Sequence, residues 1–239
     1  MRDLDWHGYL NARDLGGLPT ELSPTGSTLF GRVARGPRRE LITAAGWADA
    51  QRWGLSTVVD LRCAHEIGTR DGDPAAADLS QLTVIHSPTE DQDNPEFREV
   101  CFPILDSPAY WQHNFRILPT LVRDALQAIA SAPTAVLLHC SAGRDRTGML
   151  TALLLGNAGV TPAAVADDYA QSVRVMAGAA AHLPTADRQQ AWDAAKVEAW
   201  IVETAPIVED VAAHSSEVFD QIALPAHDRA RLRELLTSI

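Results

Sequence analysis

Up to Cys140, short apolar runs rich in β-branched residues alternate with stretches whose apolar residues recur every three or four positions; beyond it only the second rhythm continues. The runs predict strands over residues 29–35, 56–62, 82–86 and 135–138. The other rhythm predicts helices. One starts at Thr43, an N-capping residue, and runs to about Trp53 with Gly54 as its stop. A second covers residues 110–130, where Phe115, Leu118, Leu121, Val122, Leu126 and Ile129 share a face and Pro119 kinks the helix or splits it in two. A third, over residues 149–155, is apolar enough for the core, with Gly156 and Gly159 marking its stop. Thr161-Pro162 opens another in the favoured cap-then-proline order, and the remainder is helical in pattern, interrupted near Pro184, Pro206 and Pro225.

Strand and helix in alternation are the pattern of a parallel sheet. The expected architecture is α/β, with a four- or five-stranded, mainly parallel sheet flanked by helices and a helical C-terminal third, all in one domain over residues 1–239. The polar stretch from Pro88 to Pro108 reads as a surface loop or lid with room for a short helix. Residues 8–20, with Gly16-Gly17, read as a turn rather than the interior of an element.

Composition removes several classes of function. The net charge of −11 argues against a nucleic-acid surface, and no apolar stretch is long enough for a membrane span. Residues Met1 to His7 lack a signal-peptide core, which predicts a cytoplasmic protein. The three cysteines, Cys63, Cys101 and Cys140, make no disulfide framework, in agreement with a reducing compartment. The eight histidines are scattered without metal-ligand spacing, so no metal or other cofactor is expected. All basic residues but Lys196 are arginine, and the cluster Arg32, Arg35, Arg38 and Arg39 reads first as a solvated face.

The run from His139 to Gly148 carries the chemistry. It follows a predicted buried strand and precedes a predicted core helix, so its backbone N–H groups and the positive end of the helix dipole converge on one concavity that suits an oxyanion. The same field favours a thiolate over a thiol, as a cysteine nucleophile requires. Cys140 is thus the expected nucleophile. Arg146, six residues on, can curl over the loop and grip two phosphoryl oxygens, and the N–H groups of Ser141, Ala142, Gly143, Arg144, Asp145 and Arg146 form the cradle. Thr147 is expected to donate its hydroxyl to the sulfur, and His139 to hold the loop by hydrogen bonding rather than to move protons. A buried structural cysteine is the competing reading; the strand–loop–helix context disfavours it. A nucleotide-binding P-loop is disfavoured by the lack of a Gly-Lys-Ser/Thr helix start.

Residues Asn11 to Gly17, Arg32 to Arg35, Val59 to Arg62 with Glu66, and the Cys140 to Arg146 loop with Thr147-Gly148 together resemble the bacterial atypical tyrosine/serine and lipid phosphatase family, a group of Cys-x5-Arg phosphatases. The resemblance covers most of the chain. It implies a cysteine-dependent phosphatase fold, hydrolysis of phosphomonoesters on proteins or phosphoinositides, release of inorganic phosphate, and no metal. It also raises Arg35 above the surface reading. The chain departs from that family in carrying Arg144 where Lys is usual, which bears on lipid preference because a guanidinium and an ammonium present different donors.

No Trp-Pro-Asp-like acid loop is recognisable, so the proton donor must come from elsewhere. Asp145, inside the loop, is the expected general acid, with Asp60, Asp91 and Asp93 as alternatives. Asp60 and Arg62 either touch the site or pair with each other. Arg13 and Asp14 are expected to brace the catalytic loop. Two rival functions share the loop: an arsenate reductase, which needs further thiols, and a phosphate-binding module without catalysis. Cys63 is either a thiol that traps oxidised Cys140 or a buried bystander.

Overall fold

The computed structural model describes residues 2–178 and 188–238. Five strands form one sheet: β1 (Arg13–Asp14), β2 (Val33–Gly36), β3 (Thr57–Asp60), β4 (Thr83–His86) and β5 (Val136–His139), in the order β1-β2-β5-β3-β4. Only the β1–β2 pair is antiparallel; the other pairs are parallel. The register is level at the functional edge, since His139 sits opposite Gly36 on one side and Asp60 on the other. Chain leaving β5 therefore enters the crevice beyond the carboxyl ends of three adjacent strands, the usual binding place of open α/β sheets.

Side chains alternate across the sheet as a strand requires. Ala34, Val58 and Leu137 face a small cluster with Trp6, Tyr9, Ile42 and Trp47, where α1 (Ala44–Trp53) packs. Val33, Val59, Val136 and Leu138 face the large core. That core is built with α2 (Pro95–Cys101), α3 (Tyr110–Ile117), α4 (Pro119–Ser131), α5 (Asp145–Asn157), α6 (Pro162–Met176), α7 (Ala194–Ala213), α8 (Ser215–Gln221) and α9 (Ala226–Thr237). Helix α5 lies in its centre, buried from Asp145 through Leu155, which explains why that stretch shows apolar density without an exposed face. Helix α1 begins and ends as its sequence signals: Thr43 Oγ1 accepts from Gly46 N, and Gly54 takes a left-handed φ of 102°.

Several expectations need correction. The run 29–35 becomes a strand only from Val33, because Gly31 turns the backbone at φ 74° and Leu29 N bonds to the Leu236 carbonyl instead. The next strand stops at Asp60, two residues early. The N-terminal turn contains a strand after all, β1, too short to leave a pattern in sequence. Residues 110–130 divide at Pro119, which takes the first position of α4. Pro206 does not interrupt its helix. It lies on the exposed face of α7, and the Val202 carbonyl that loses its partner belongs to a residue 74% exposed, where water can satisfy it. Pro184 lies outside the described residues.

Candidate active site

The catalytic-loop candidate emerges from β5 with Cys140 only 2% exposed and turns into α5 at Asp145. Its conformation rests on where its carbonyls go. Ala142 O accepts from Asn11 Nδ2 at 3.2 Å, Gly143 O from Arg35 Nη2 at 2.7 Å, and Ser141 O from Arg38 N at 3.0 Å. With these carbonyls tied to other segments, the N–H groups of Ser141, Ala142 and Gly143 have no hydrogen-bond partner among the described residues, and they immediately precede the N-terminus of α5, whose dipole favours an anion. Gly143 makes this possible. Its φ is +67°, and a Cβ there would run into the backbone of Gly36 and Pro37.

Behind the loop lies an ion network that sequence reading did not find. Asp168, on α6, is fully buried and pairs with Arg2, Arg13 and Arg35. Burial opposes its ionisation, but Arg35, Arg13 and Arg2 hold its carboxyl far below the usual range. Arg35 is pulled down to about 10 by burial, against the opposing effect of Asp168, and stays charged at neutral pH. Arg13 also reaches Asn11 Oδ1, the Asp168 carbonyl at 2.9 Å and Ser172 Oγ at 2.6 Å. Arg13 and Arg35 thus brace the loop, one through Asn11 and one directly. Asp14 does not. Its carboxylate takes the N–H groups of Gly16 and Gly31 and the Trp53 indole, so it organises the N-terminal turn instead.

Asp60 and Arg62 pair with each other. Arg62 Nε and Nη2 meet the two Asp60 oxygens at 2.9 and 2.7 Å, and the group extends to Arg39 and Glu40. Despite its burial, hydrogen bonds from Arg62 and nearby positive charge hold the Asp60 carboxyl well below its ordinary range, which removes it as a proton donor. His139 Nδ1 meets the Cys140 carbonyl at 3.1 Å.

Burial lowers His139 to about 4 despite the opposing pull of Asp60, so it is neutral in the folded protein at neutral pH. The unfolded chain binds this proton near pH 6.5, the folded one only near pH 4, so the contribution to stability is lost as pH falls through that window. Glu90, whose carboxyl is raised by burial, acts in the opposite direction. Urea unfolding of His139→Asn should therefore show a stability loss between pH 7 and pH 5 that is smaller than wild type by about 2 kcal/mol. An identical loss in both proteins would contradict this.

Arg146 is clamped from one side. Its Nη1 and Nη2 meet Glu66 Oε2 and Oε1, the latter at 2.8 Å, and Glu90 Oε2 lies 3.6 Å away. Glu66 is fixed in turn by the Cys63 N–H at 2.9 Å. Burial would strip Arg146 of its proton, but Glu90 and Glu66 keep it firmly charged. Asp145 accepts from Arg144 Nε and from the Tyr169 hydroxyl at 3.2 Å, and Arg144 Nη1 reaches Gln189 Oε1 at 2.9 Å. The Thr147 hydroxyl is a correction: it is fully buried and finds no hydrogen-bond partner among the described residues, the Cys140 sulfur included. Cys63 donates to the Glu90 carbonyl at 3.3 Å, and burial pushes both Cys63 and Cys101 up to about 12, which makes them poor resolving thiols.

Asp168, Tyr169, Glu90 and Gln189 come to the site from chain segments with no motif of their own. Glu66 and Asn11 were legible only as members of the resemblance.

The chain is similar to known phosphatases. The triple specificity protein phosphatase PtpB of Mycobacterium tuberculosis is 28% identical over 191 residues, covering 69% of this chain and 67% of that protein. A protein of Cupriavidus necator named as a tyrosine-protein phosphatase is 27% identical over 194 residues, covering 71% of this chain and 63% of that protein. The solved core catalytic domain of the PP-IP phosphatase SIW14 from S. cerevisiae is 13% identical, covering 78% of this chain and 94% of that one. Its TM-score is 0.40. The model of the tyrosine phosphatase family matches residues 4–236, nearly the whole chain, which therefore belongs to that family and is a phosphatase, a hydrolase.

Proposed function

We propose that residues 1–239 act as one phosphatase domain of the protein-tyrosine and dual-specificity type, cleaving phosphomonoesters through a phosphocysteine intermediate. The observation that supports this best is the loop geometry: Cys140 at the base of a turn whose carbonyls are tied to other segments, with Arg146 held beside it by Glu66. In this reading the Cys140 sulfur attacks phosphorus and the bond to the leaving oxygen breaks. Loop N–H groups and the Arg146 guanidinium take the negative charge of the transferring group. Asp145 gives a proton to the leaving oxygen, then accepts one from the water that attacks phosphorus, frees Cys140 and releases inorganic phosphate.

Phosphorylated proteins are the preferred substrates in this reading. Arg144, at the position where lipid-directed relatives usually carry Lys, is fully buried and directed to Asp145 and Gln189, which takes its side chain away from a second phosphate. A cytoplasmic setting belongs to the same proposal, supported by free thiols at Cys63 and Cys101. No helix among the described residues is long and apolar enough to cross a membrane.

Turnover of p-nitrophenyl phosphate, with vanadate as inhibitor, tests the reaction. The acid is tested by Asp145→Asn on phosphate esters of graded leaving group. Loss of an acid should slow phenyl or alkyl phosphates by roughly 10²-fold or more and nitrophenyl phosphate much less, since a good leaving group needs no proton. Equal loss on both would assign Asp145 to structure.

A further inference from the structure

We infer that Tyr169, on α6, is a positioning residue for the proton donor, holding Asp145 through its hydroxyl; this rests on Asp145 as the general acid. The Tyr169 Oη donates to Asp145 Oδ1 at 3.2 Å, and the ring is almost fully buried. It cannot turn away: Trp111 packs edge-on against it, with centroids 5.4 Å apart at 89°. Gly148, in the first turns of α5, is the matching vacancy. A Cβ at that position would lie 2.8 Å from the Tyr169 ring and 3.4 Å from Trp111. A helix interior disfavours glycine, so its presence where the ring crosses α5 is a second, independent sign that this tyrosine is seated against Asp145.

The chemistry fits a permanent donor. Burial, then the Asp145 charge, keeps the Tyr169 phenol protonated well beyond any working pH. The partners of Asp145 include the Arg144 guanidinium, which attracts its negative charge, and the Tyr169 hydroxyl, which fixes the direction of one oxygen. Tyr110, on α3, also senses the Asp145 charge, and Arg146 follows it directly in the chain. The Tyr169 bond falls on Oδ1, while the Arg144 guanidinium meets both oxygens, so the hydroxyl is a directional contact added to an ion pair. Since a donor to a carboxylate favours its charged form, losing the hydroxyl should let Asp145 keep its proton to higher pH while aiming it less well.

Tyr169→Phe keeps the ring and its packing and removes only this bond. With phenyl phosphate, kcat should fall roughly three- to tenfold, and its alkaline limb should move up by about half a pH unit. Nitrophenyl phosphate turnover should stay within about twofold. In an Asp145→Asn background the same change should have no further effect, because the two act as one unit. Equal loss on both esters, an unmoved pH limb, or additive losses in the double variant would overturn the inference and make Tyr169 a packing residue. If Asp145→Asn itself shows no dependence on leaving group, the general-acid reading fails and takes this inference with it. Urea unfolding of Tyr169→Phe, expected to match wild type, separates both outcomes from misfolding.

Discussion

Cys140→Ser is expected to abolish turnover, by roughly four to six orders of magnitude, while leaving inorganic phosphate binding within a few fold of wild type. The two halves of this result follow from different atoms. Bond formation to phosphorus needs the sulfur, and a serine hydroxyl in the same place has no adjacent base: His139 is turned to the Cys140 carbonyl and the Asp60 side. Anion binding needs the loop N–H groups, the α5 N-terminus and Arg146, none of which the substitution touches. Initial rates with an aryl phosphate and calorimetric titration with phosphate check each half. Substantial turnover by the serine variant would rule out the phosphocysteine route, and loss of phosphate binding would move the cradle elsewhere.

Asp168→Ala should be the most destabilising single change outside the apolar core, by about 3–5 kcal/mol, because it leaves Arg13 and Arg35 buried with no counter-charge. Arg2 suffers less, since it is 21% exposed and water can replace the lost partner. Activity should fall with stability. Arg35 would lose the carboxylate that aims it at the Gly143 carbonyl, and Arg13 the one that fixes Asn11. The folded carboxyl titrates far below its unfolded value, so this stabilisation is present above the ordinary carboxylate range and is lost only as pH falls into strongly acid solution. Urea unfolding at neutral pH measures the effect. A loss under about 1 kcal/mol would show that the three arginines find other partners.

What could be read from sequence divides along the distance over which residues act. Thr43 and Gly54 bracket α1 through contacts within one turn, and Pro119 divides α3 from α4 through its own ring, so local chemistry announces each boundary. The Cys140 loop was legible for the same reason, since nucleophile, arginine and helix start lie within one short segment. Residues 29–32 failed as a strand because their pattern is a strand's but Gly31 and the Leu29 bond to Leu236 decide otherwise, and neither shows in alternation. Thr147 failed because composition does not fix a hydroxyl rotamer. The residues that reach the site from afar, Asp168 and Tyr169 above all, sit in an ordinary helical pattern where a buried acid and an aromatic are indistinguishable from surface and core.

The bonds that shape the loop have a consequence for the order in which the molecule can be made. Asn11 reaches Ala142 across 131 residues, Arg35 reaches Gly143 across 108, and Arg13 reaches Asp168 across 155. In a chain emerging from the ribosome Asn11, Arg13 and Arg35 precede Cys140 and α6 follows it, so Cys140 is synthesised before the last of the residues that brace its loop. The price of closing loops of this length is met only when both ends of the domain are present. A growing or broken chain that lacks α6 thus holds Cys140 without the carboxylate that aims Arg35 and anchors Arg13.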